Sequence, residues 1–394
     1  MKIRYQLFLL ILTISASAQT QFDRVLTIPV KEGSNQLRSP WAGGINFPWI
    51  SSIDLNNDGL NDLFLFDHHN SRILTFLNNG NTSTDLAWEY APQYMTQFPF
   101  VNKWVFLYDY NCDGKADFFT LSQANKCNGI AVYKNISSGN SLQWQLVNTC
   151  LDEIFAGVKD TIYTNSISLP NFNDIDSDGD MDILGYNSFP DGRIIFHKNT
   201  SMEDYGVCDS LVFNKTSACW GNFRLKIGGN NEVGCFHCPC RIRRPVVTGD
   251  GTSNKSEDVK TNFTEPVFDA SEAAKRDDTI SSLFSLDIDG DGFMELLVGD
   301  IASQNTLMIH NGGTEMDSQD TLFPSSDTPA YFDGFHYHSS IDVDNDGLKD
   351  LLVMPYDHEN KNGIWVYKNS GTNTSPVFNL SSTSFLQKTM IDVF

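Results

Sequence analysis

The densest group of acidic side chains lies in the stretch DIDSDGDMDILGY, residues 174–186, where five of the first nine residues are aspartates. Like charges this close together repel one another, so the pattern predicts a bound cation that neutralises them. Carboxylate and carbonyl oxygens are the ligands that a hard cation such as Ca²⁺ prefers. The stretch therefore indicates a calcium loop.

The same pattern, D-x-[DN]-x-D-G-x-x-[DE], begins at residues 54, 109, 174, 287 and 342. Oxygens from the side chains at positions 1, 3, 5 and 9 and from the carbonyl at position 7 would form a cage. Glycine at position 6 permits the sharp turn. The sequence thus predicts about five Ca²⁺ ions. The predicted ligands are Asp54, Asn56, Asp58, Leu60 and Asp62; Asp109, Asn111, Asp113, Lys115 and Asp117; Asp174, Asp176, Asp178, Asp180 and Asp182; Asp287, Asp289, Asp291, Phe293 and Glu295; and Asp342, Asp344, Asp346, Leu348 and Asp350.

An EF-hand shares the first six positions of this loop, but it needs a bidentate glutamate at position 12 and flanking helices. Position 12 here falls inside apolar, strand-like runs, so an EF-hand is excluded. The residues at that position are Leu65, Thr120, Gly185, Val298 and Val353. A single copy could also be an Asp/Asn/Gly turn without metal. Five copies in register favour calcium.

Short runs of β-branched and aromatic residues surround the loops, among them RILTFLNN, GIAVYKN, RIIFHKN and GIWVYKN. Gly, Asn and Asp turns separate these runs, and the sequence has no sustained helical period. Successive loops start 55, 65, 113 and 55 residues apart. Four strands in each repeat of this length are typical of a β-propeller blade. The predicted fold is all-β, a propeller of four-stranded blades, five with calcium loops; six or seven blades or an incomplete ring also fit the spacing.

These repeats resemble the FG-GAP/VCBS family, whose blades carry a calcium loop between their first and second strands, as in the integrin α-subunit head. The resemblance covers roughly residues 40–380. The lead-in PWAGGINFPWISSIDLNNDGLNDLFLFD, the YKN strand ends and FLQKTMIDV also resemble exported Bacteroidetes-type members. The resemblance implies a secreted, calcium-bearing propeller.

The first residues of the chain resemble a secretory signal peptide. Lys2 and Arg4 precede an apolar run from Leu7, and Ala16-Ser17-Ala18 forms a small-residue cleavage site. Residues 1–18 are therefore predicted to be removed after Ala18, and the protein to be secreted or at the cell surface. No later run is long and apolar enough for a transmembrane segment.

The C-terminal stretch FLQKTMIDVF resembles the lead-in to another blade, although no sixth loop follows it. We therefore expect residues 19–394 to be a propeller truncated at its C-terminal end. On that expectation, the structure should be an open arc or have a last blade short of strands.

Residues 216–278 depart from the repeat and are predicted to form an irregular insertion or a degenerate blade. Cys219, Cys235, Cys238 and Cys240, together with His237, could bind zinc, because C-x-x-C is a ligand spacing. An exported chain instead favours disulfides. We predict disulfides, with the pairing open.

The net charge of −22 argues against nucleic acid as a partner, although 18 of the 49 acidic residues belong to the predicted cages. The sequence contains neither G-x-S-x-G nor H-E-x-x-H, so the His68-His69 pair and FHYH (335–338) favour structural or ligand-contact roles. We predict a binding or adhesion module whose propeller face and loops recognise a glycan, a protein or a surface. Aromatic residues in PWAGGINFPW and FDGFHYH would suit sugar stacking, and they suit blade packing equally well. A lyase-like polysaccharide enzyme and a passive structural part of a larger surface protein are the alternatives, and the fold does not choose among the three.

Overall fold

The computed structural model describes residues 25–391, apart from 27, 167, 187–191, 227–231, 238–280, 302, 314, 333 and 356–362. The described residues form five antiparallel sheets in a ring, a five-bladed β-propeller. Every blade has one of the five predicted loops between its first and second strands. The all-β propeller is thus confirmed, whereas six or seven blades is wrong for the described chain.

The strands follow one another in sequence within each blade. A hairpin of β1 (Lys31–Glu32) and β2 (Asn35–Gln36) comes first. Blade 1 contains β3 (Pro48–Ile53), β4 (Asp62–Asp67), β5 (Arg72–Asn78) and β6 (Trp88–Tyr90). Blade 2 contains β7 (Val105–Tyr108), β8 (Asp117–Leu121), β9 (Ile130–Asn135) and β10 (Trp144–Asn148).

The third sheet has six strands because a hairpin of β11 (Asp152–Phe155) and β12 (Val158–Thr161) is added to its outer edge. Blade 3 itself contains β13 (Asn171–Asn173), β14 (Asp182–Tyr186), β15 (Ile194–Asn199) and β16 (Phe213–Ser217). A separate two-stranded sheet follows, with β17 (Phe223–Leu225) and β18 (Val233–Phe236).

Blade 4 contains β19 (Ser281–Leu286), β20 (Glu295–Asp300), β21 (Leu307–Asn311) and β22 (Met316–Asp320). Blade 5 contains β23 (His336–Ile341), β24 (Asp350–Pro355), β25 (Trp365–Asn369) and β26 (Phe378–Ser382). Where the structure describes the chain, the helical elements are α1 (Ser201–Tyr205) and four 3₁₀ turns at Pro40–Ala42, Pro92–Gln97, Trp220–Asn222 and Gln387–Thr389. No helix among the described residues is long and apolar enough to cross a membrane.

The second strand of each blade explains the apolar runs that follow the loops. All six residues of β4, β20 and β24 are buried. Each of these strands lies between the first and third strands of its own sheet, and both faces of that sheet pack on other parts of the ring. A strand covered on both faces is apolar throughout rather than alternating. The sequences LFLF, LLVG and LLVM follow from this position.

The last blade has four strands and packs against the first blade, so the ring is closed. The Trp88 indole donates a hydrogen bond to the Val343 carbonyl at 3.1 Å. Asn78 Nδ2 donates to Asn345 Oδ1 at 2.7 Å. The side-chain rings of Trp49 and Tyr337 lie edge to face, 5.4 Å apart. The predicted open arc, or last blade short of strands, is therefore wrong.

Disulfides connect several parts of the chain. Cys112 is bonded to Cys208, and Cys127 to Cys150. Cys219 and Cys235, in the predicted insertion, are also disulfide-bonded. Disulfides are thus confirmed for these two cysteines.

Most of the predicted insertion, including Cys238 and Cys240, lies outside the described residues, as does the predicted signal peptide. The described part of the insertion includes β17 and β18. The backbone N–H of Val233 donates to Gln319 Oε1 of blade 4 at 2.7 Å, which attaches this small sheet to that blade.

We predict that Trp88→Ala lowers the free energy of unfolding by about 3–5 kcal/mol, because it empties a buried site where the first and last blades meet. Urea denaturation provides the measurement. Trp144→Ala is the matched control, since Trp144 occupies the same strand position in blade 2 but is only half-buried. An equal or larger loss in the control would contradict a closed joint at Trp88.

Candidate metal sites

The five acidic loops, residues 54–61, 109–116, 174–181, 287–294 and 342–349, lie at one end of the ring, which we call the loop face. Each loop follows the end of an innermost strand. The five innermost strands are arranged around the axis of the ring and all run along it in the same direction. The connections between second and third strands, and those between blades, lie on the other end, the opposite face. The fold thus places the five predicted cages on one surface.

The backbone turns the same way in every loop. The residue at position 4 has a positive φ in all five; these residues are Asn57, Cys112, Ser177, Gly290 and Asn345. The position-6 glycines have φ values from 83° to 101°. A side chain at Gly59 or Gly347 would meet no atom within 4 Å, so the need for glycine there is conformational rather than steric.

The carboxylates at positions 1 and 5 accept hydrogen bonds from the loop's own backbone. In the fifth loop the N–H of Gly347 donates to Asp342 Oδ2 at 2.9 Å, and that of Leu348 donates to Asp346 Oδ1 at 2.9 Å. The equivalent bonds occur in the other four loops at 2.8–3.2 Å. These bonds gather the acidic side chains on the inner side of the turn.

The acid at position 9 is the first residue of the second strand and is fully buried in every blade. One of its oxygens accepts the backbone N–H of position 2, as from Leu55 to Asp62 at 2.8 Å. The other accepts the N–H of the asparagine that ends the third strand, as from Asn78 to Asp62 at 2.7 Å. The same pair of bonds recurs in the other blades. One carboxylate therefore ties the loop to the second and third strands.

Burial raises the pKa of each position-9 acid, because it removes water from the charged form. The pKa rises to about 8 for Asp182, to about 7 for Asp117 and Glu295, and to about 6 for Asp62 and Asp350. The neighbouring loop carboxylates raise it further, while the two backbone N–H groups lower it. A bound cation would favour the ionised form of these acids.

The geometry can be compared with the donor set that calcium needs. Three carboxylates lie with ligand atoms within 4.8 Å of one another in each of three loops: Asp174, Asp176 and Asp182; Asp287, Asp289 and Asp291; and Asp342, Asp344 and Asp350. The first two loops have asparagine at position 3 instead. Asp344 Oδ1 is buried and has no hydrogen-bond partner, as expected of an oxygen directed at an ion. The residues fit an oxygen-coordinated hard cation.

The position-7 residues are all in the turn, as their predicted carbonyl role requires, and Leu60 and Phe293 expose their side chains. Asp180 differs, because its side chain is directed away from the turn. Its Oδ2 accepts the backbone N–H of Met202 in α1 at 2.8 Å. Burial raises the pKa of Asp180 to about 6. The fifth acid of this loop thus contacts a neighbouring connection.

Position 4 makes contacts that the sequence pattern did not indicate. Cys112 is bonded to Cys208 of blade 3, and Ser177 Oγ donates to the Gly292 carbonyl of blade 4 at 3.4 Å. Asn345 of the last blade bonds Asn78 of the first. In these three loops, position 4 joins its own blade to the next one. The sequence pattern allows any residue at position 4, so only the three-dimensional packing reveals this role.

The histidines and aromatics considered for binding lie mostly in the interior. His336 and His338 are buried, and both Nε2 atoms lie within 3.0 Å of Thr306 Oγ1. Burial lowers the pKa of both histidines, to about 4 for His336. Phe47, Trp49, Phe335 and Tyr337 are buried as well. Of the two interpretations, the burial of these four aromatics favours blade packing over exposed sugar stacking.

The fold and the loops together define a β-propeller with an acidic loop in every blade. Residues 54–120 match the family model described as an FG-GAP-like repeat. This match and the five-bladed ring support an FG-GAP propeller. The comparison with curated proteins gave no match.

We predict that the metal-free protein loses stability as the pH rises from 7 to 9. Asp182, Asp117 and Glu295 have folded-state pKa values above those of an unfolded chain, so folding is favoured while they hold protons and disfavoured once they ionise. His336 and His338, whose pKa values burial lowers, act only weakly in the opposite direction above pH 7, because an unfolded histidine has lost most of its proton there; unfolded tyrosines are still protonated. Thermal melting in EDTA tests this, with saturating Ca²⁺ as the control in which the loss should be smaller. A flat or rising EDTA profile would contradict it.

Proposed function

We propose that the protein is an exported calcium-binding β-propeller that acts as a binding module, with calcium in a structural role. The observation that carries the calcium assignment is the repeated arrangement of a buried position-9 acid beside three further loop acids or amides at positions 1, 3 and 5. Calcium would neutralise these groups and hold the turn between the first two strands. The residues that would hold it are the five predicted sets named above.

Export is supported by the disulfides Cys112–Cys208 and Cys127–Cys150, because such bonds persist in oxidising compartments. The net charge of −22 argues against a basic surface that binds nucleic acid. With five bound divalent ions, much of this acidity would be neutralised.

The opposite face is the surface we assign to the ligand. A cavity of about 420 Å³ follows the axis between the innermost strands, which is within the usual size of small-ligand sites. Trp49, Tyr337 and His338 line it, and Trp49 Nε1, Tyr337 OH and His338 Nδ1 are buried without a hydrogen-bond partner. A ligand or ordered water at the axis would satisfy such atoms.

Two aromatic side chains lie exposed on the connections that cross the opposite face. Phe100, between β6 and β7, is 71% exposed, and Tyr331, between β22 and β23, is 53% exposed. Exposed aromatics offer flat apolar surfaces with favourable stacking geometry. A glycan or a protein is therefore the class of ligand we propose, contacting the opposite face around the axial cavity.

We predict that removing calcium lowers the melting temperature and that metal analysis finds about five calcium ions per chain. Binding to the folded state alone stabilises it by about 2.7 kcal/mol per site at a hundredfold excess over Kd. Melting with EDTA, with Ca²⁺ and with Mg²⁺ provides the measurement, and Mg²⁺ controls for a general ionic effect. Identical melting temperatures together with calcium-free protein would refute the calcium assignment.

We predict that Phe100→Ala and Tyr331→Ala each weaken ligand binding about three- to tenfold, the magnitude of one aromatic contact. A glycan array in Ca²⁺ would first identify the ligand, alongside a lyase assay on pectic polysaccharides. Tyr205→Ala is the control, since Tyr205 is similarly exposed but belongs to α1 on the loop face. Equal losses in all three variants would contradict binding at the opposite face, and product formation in the lyase assay would favour the enzyme.

A further inference from the structure

The next-to-last residue of the third strand differs among the blades, although its place in the fold is constant. It precedes the asparagine whose N–H binds the position-9 acid. The residue is leucine in blade 1, histidine in blade 4 and lysine in the other three. In chain order these residues are Leu77, Lys134, Lys198, His310 and Lys368.

Each lysine at this position directs its ammonium group at the acidic loop of its own blade. Lys134 Nζ lies 3.4 Å from Asp113 Oδ2. Lys368 Nζ contacts Asp344 Oδ2, which belongs to a residue that is almost fully buried. The contacted acids occupy position 5 or position 3, both of which belong to the predicted calcium cage.

Blade 3 has the most extensive version of this contact. Lys198 Nζ lies 3.0 Å from Asp178 Oδ2 and also contacts Asp176. It reaches Glu203 Oε1 of α1 at 2.5 Å as well. One ammonium thus contacts positions 3 and 5 of the same loop.

The two remaining blades depart from this arrangement in different ways. His310 Nε2 lies 3.0 Å from Asp289 Oδ2, and its Nδ1 lies 2.7 Å from Asp317 Oδ1. Leu77 brings no charge to the first loop. The chain thus has both loops that are contacted by a lysine side chain and a loop, in blade 1, that is not.

We infer that this strand residue sets the calcium affinity of each loop, with lysine acting as a built-in competitor of the ion. The inference rests on the proposed calcium binding. A divalent ion that enters the cage must displace the ammonium from a ligand oxygen or remain beside it, and both lower the affinity. Without calcium, the same lysine offsets the repulsion among the loop acids.

Two opposite effects distinguish this role from simple packing. Removing the lysine should strengthen calcium binding to its loop. When no calcium is bound, the same change should lower the stability of the folded protein, because the loop acids then repel one another. Introducing a lysine at position 77 should do the reverse in blade 1. A side chain that only fills space would change stability in the same direction with and without the ion.

The experiment compares Lys368→Leu, which gives blade 5 the residue of blade 1, with the reciprocal Leu77→Lys. Calcium titration calorimetry on metal-free protein and melting in EDTA and in saturating Ca²⁺ are the measurements. For Lys368→Leu we expect one site to bind calcium roughly three- to tenfold more tightly, the effect of one such ion pair, and the EDTA melting temperature to fall. For Leu77→Lys we expect one site to bind more weakly by a similar factor.

Lys349→Leu is the matched control, because it removes the same charge from the fifth loop at a position outside the cage. Lys368→Gln serves if the leucine variant fails to fold. Unchanged or weaker calcium binding in the Lys368 variants, or an equal gain in Lys349→Leu, would overturn the inference. Wild-type protein that takes up no calcium would instead overturn the proposed function.

Discussion

A buried carboxylate at the start of the second strand is the constraint on which each blade depends. Its two oxygens are bound by one backbone N–H from the loop and one from the end of the third strand, as at Asp350. Hydrogen bonds from neutral amides do not compensate fully for removing a charge from water. The blade therefore either keeps the acid protonated or supplies a cation, and the acidic turn beside it provides the place for one.

This arrangement also fixes the register of the sheet. The acid is the first residue of its strand, and the asparagine is the last residue of the next, so their bond aligns the two strands at one end. A shift by one residue would turn the acid to the other face of the sheet and break both of its hydrogen bonds to backbone N–H groups. The repeated strands therefore pack alike around the axis, although the residues on their outer edges differ.

The sequence predicted what depends on local chemistry. The five loops lie where the spacing indicated, and runs such as RILTFLNN and GIWVYKN are third strands.

Ring closure was not predictable, because contacts such as Trp88 with Val343 join residues 255 positions apart. The alternative of six or seven blades failed for a related reason: the described residues of the 113-residue interval include the β17–β18 sheet, which is not a blade of the ring. The sequence could not show whether the aromatic residues near Trp49 and Tyr337 are buried, because stacking on a ligand and stacking on a neighbouring blade require the same side chains. The lysine of the YKN strand ends was visible in the sequence. Its contact with the acidic loop became apparent only from the distance between its Nζ and the loop carboxylates.

The position-4 contacts bear on how the ring would respond to mechanical force. Between blades 2 and 3 the contact is the covalent bond from Cys112 to Cys208, whereas between blades 5 and 1 it is a hydrogen bond from Asn345 to Asn78. A covalent bond does not yield at forces that separate hydrogen-bonded surfaces. Under tension the ring would therefore part first at a joint such as that between the last and first blades. In oxidising surroundings, blades 2 and 3 would stay together as a pair.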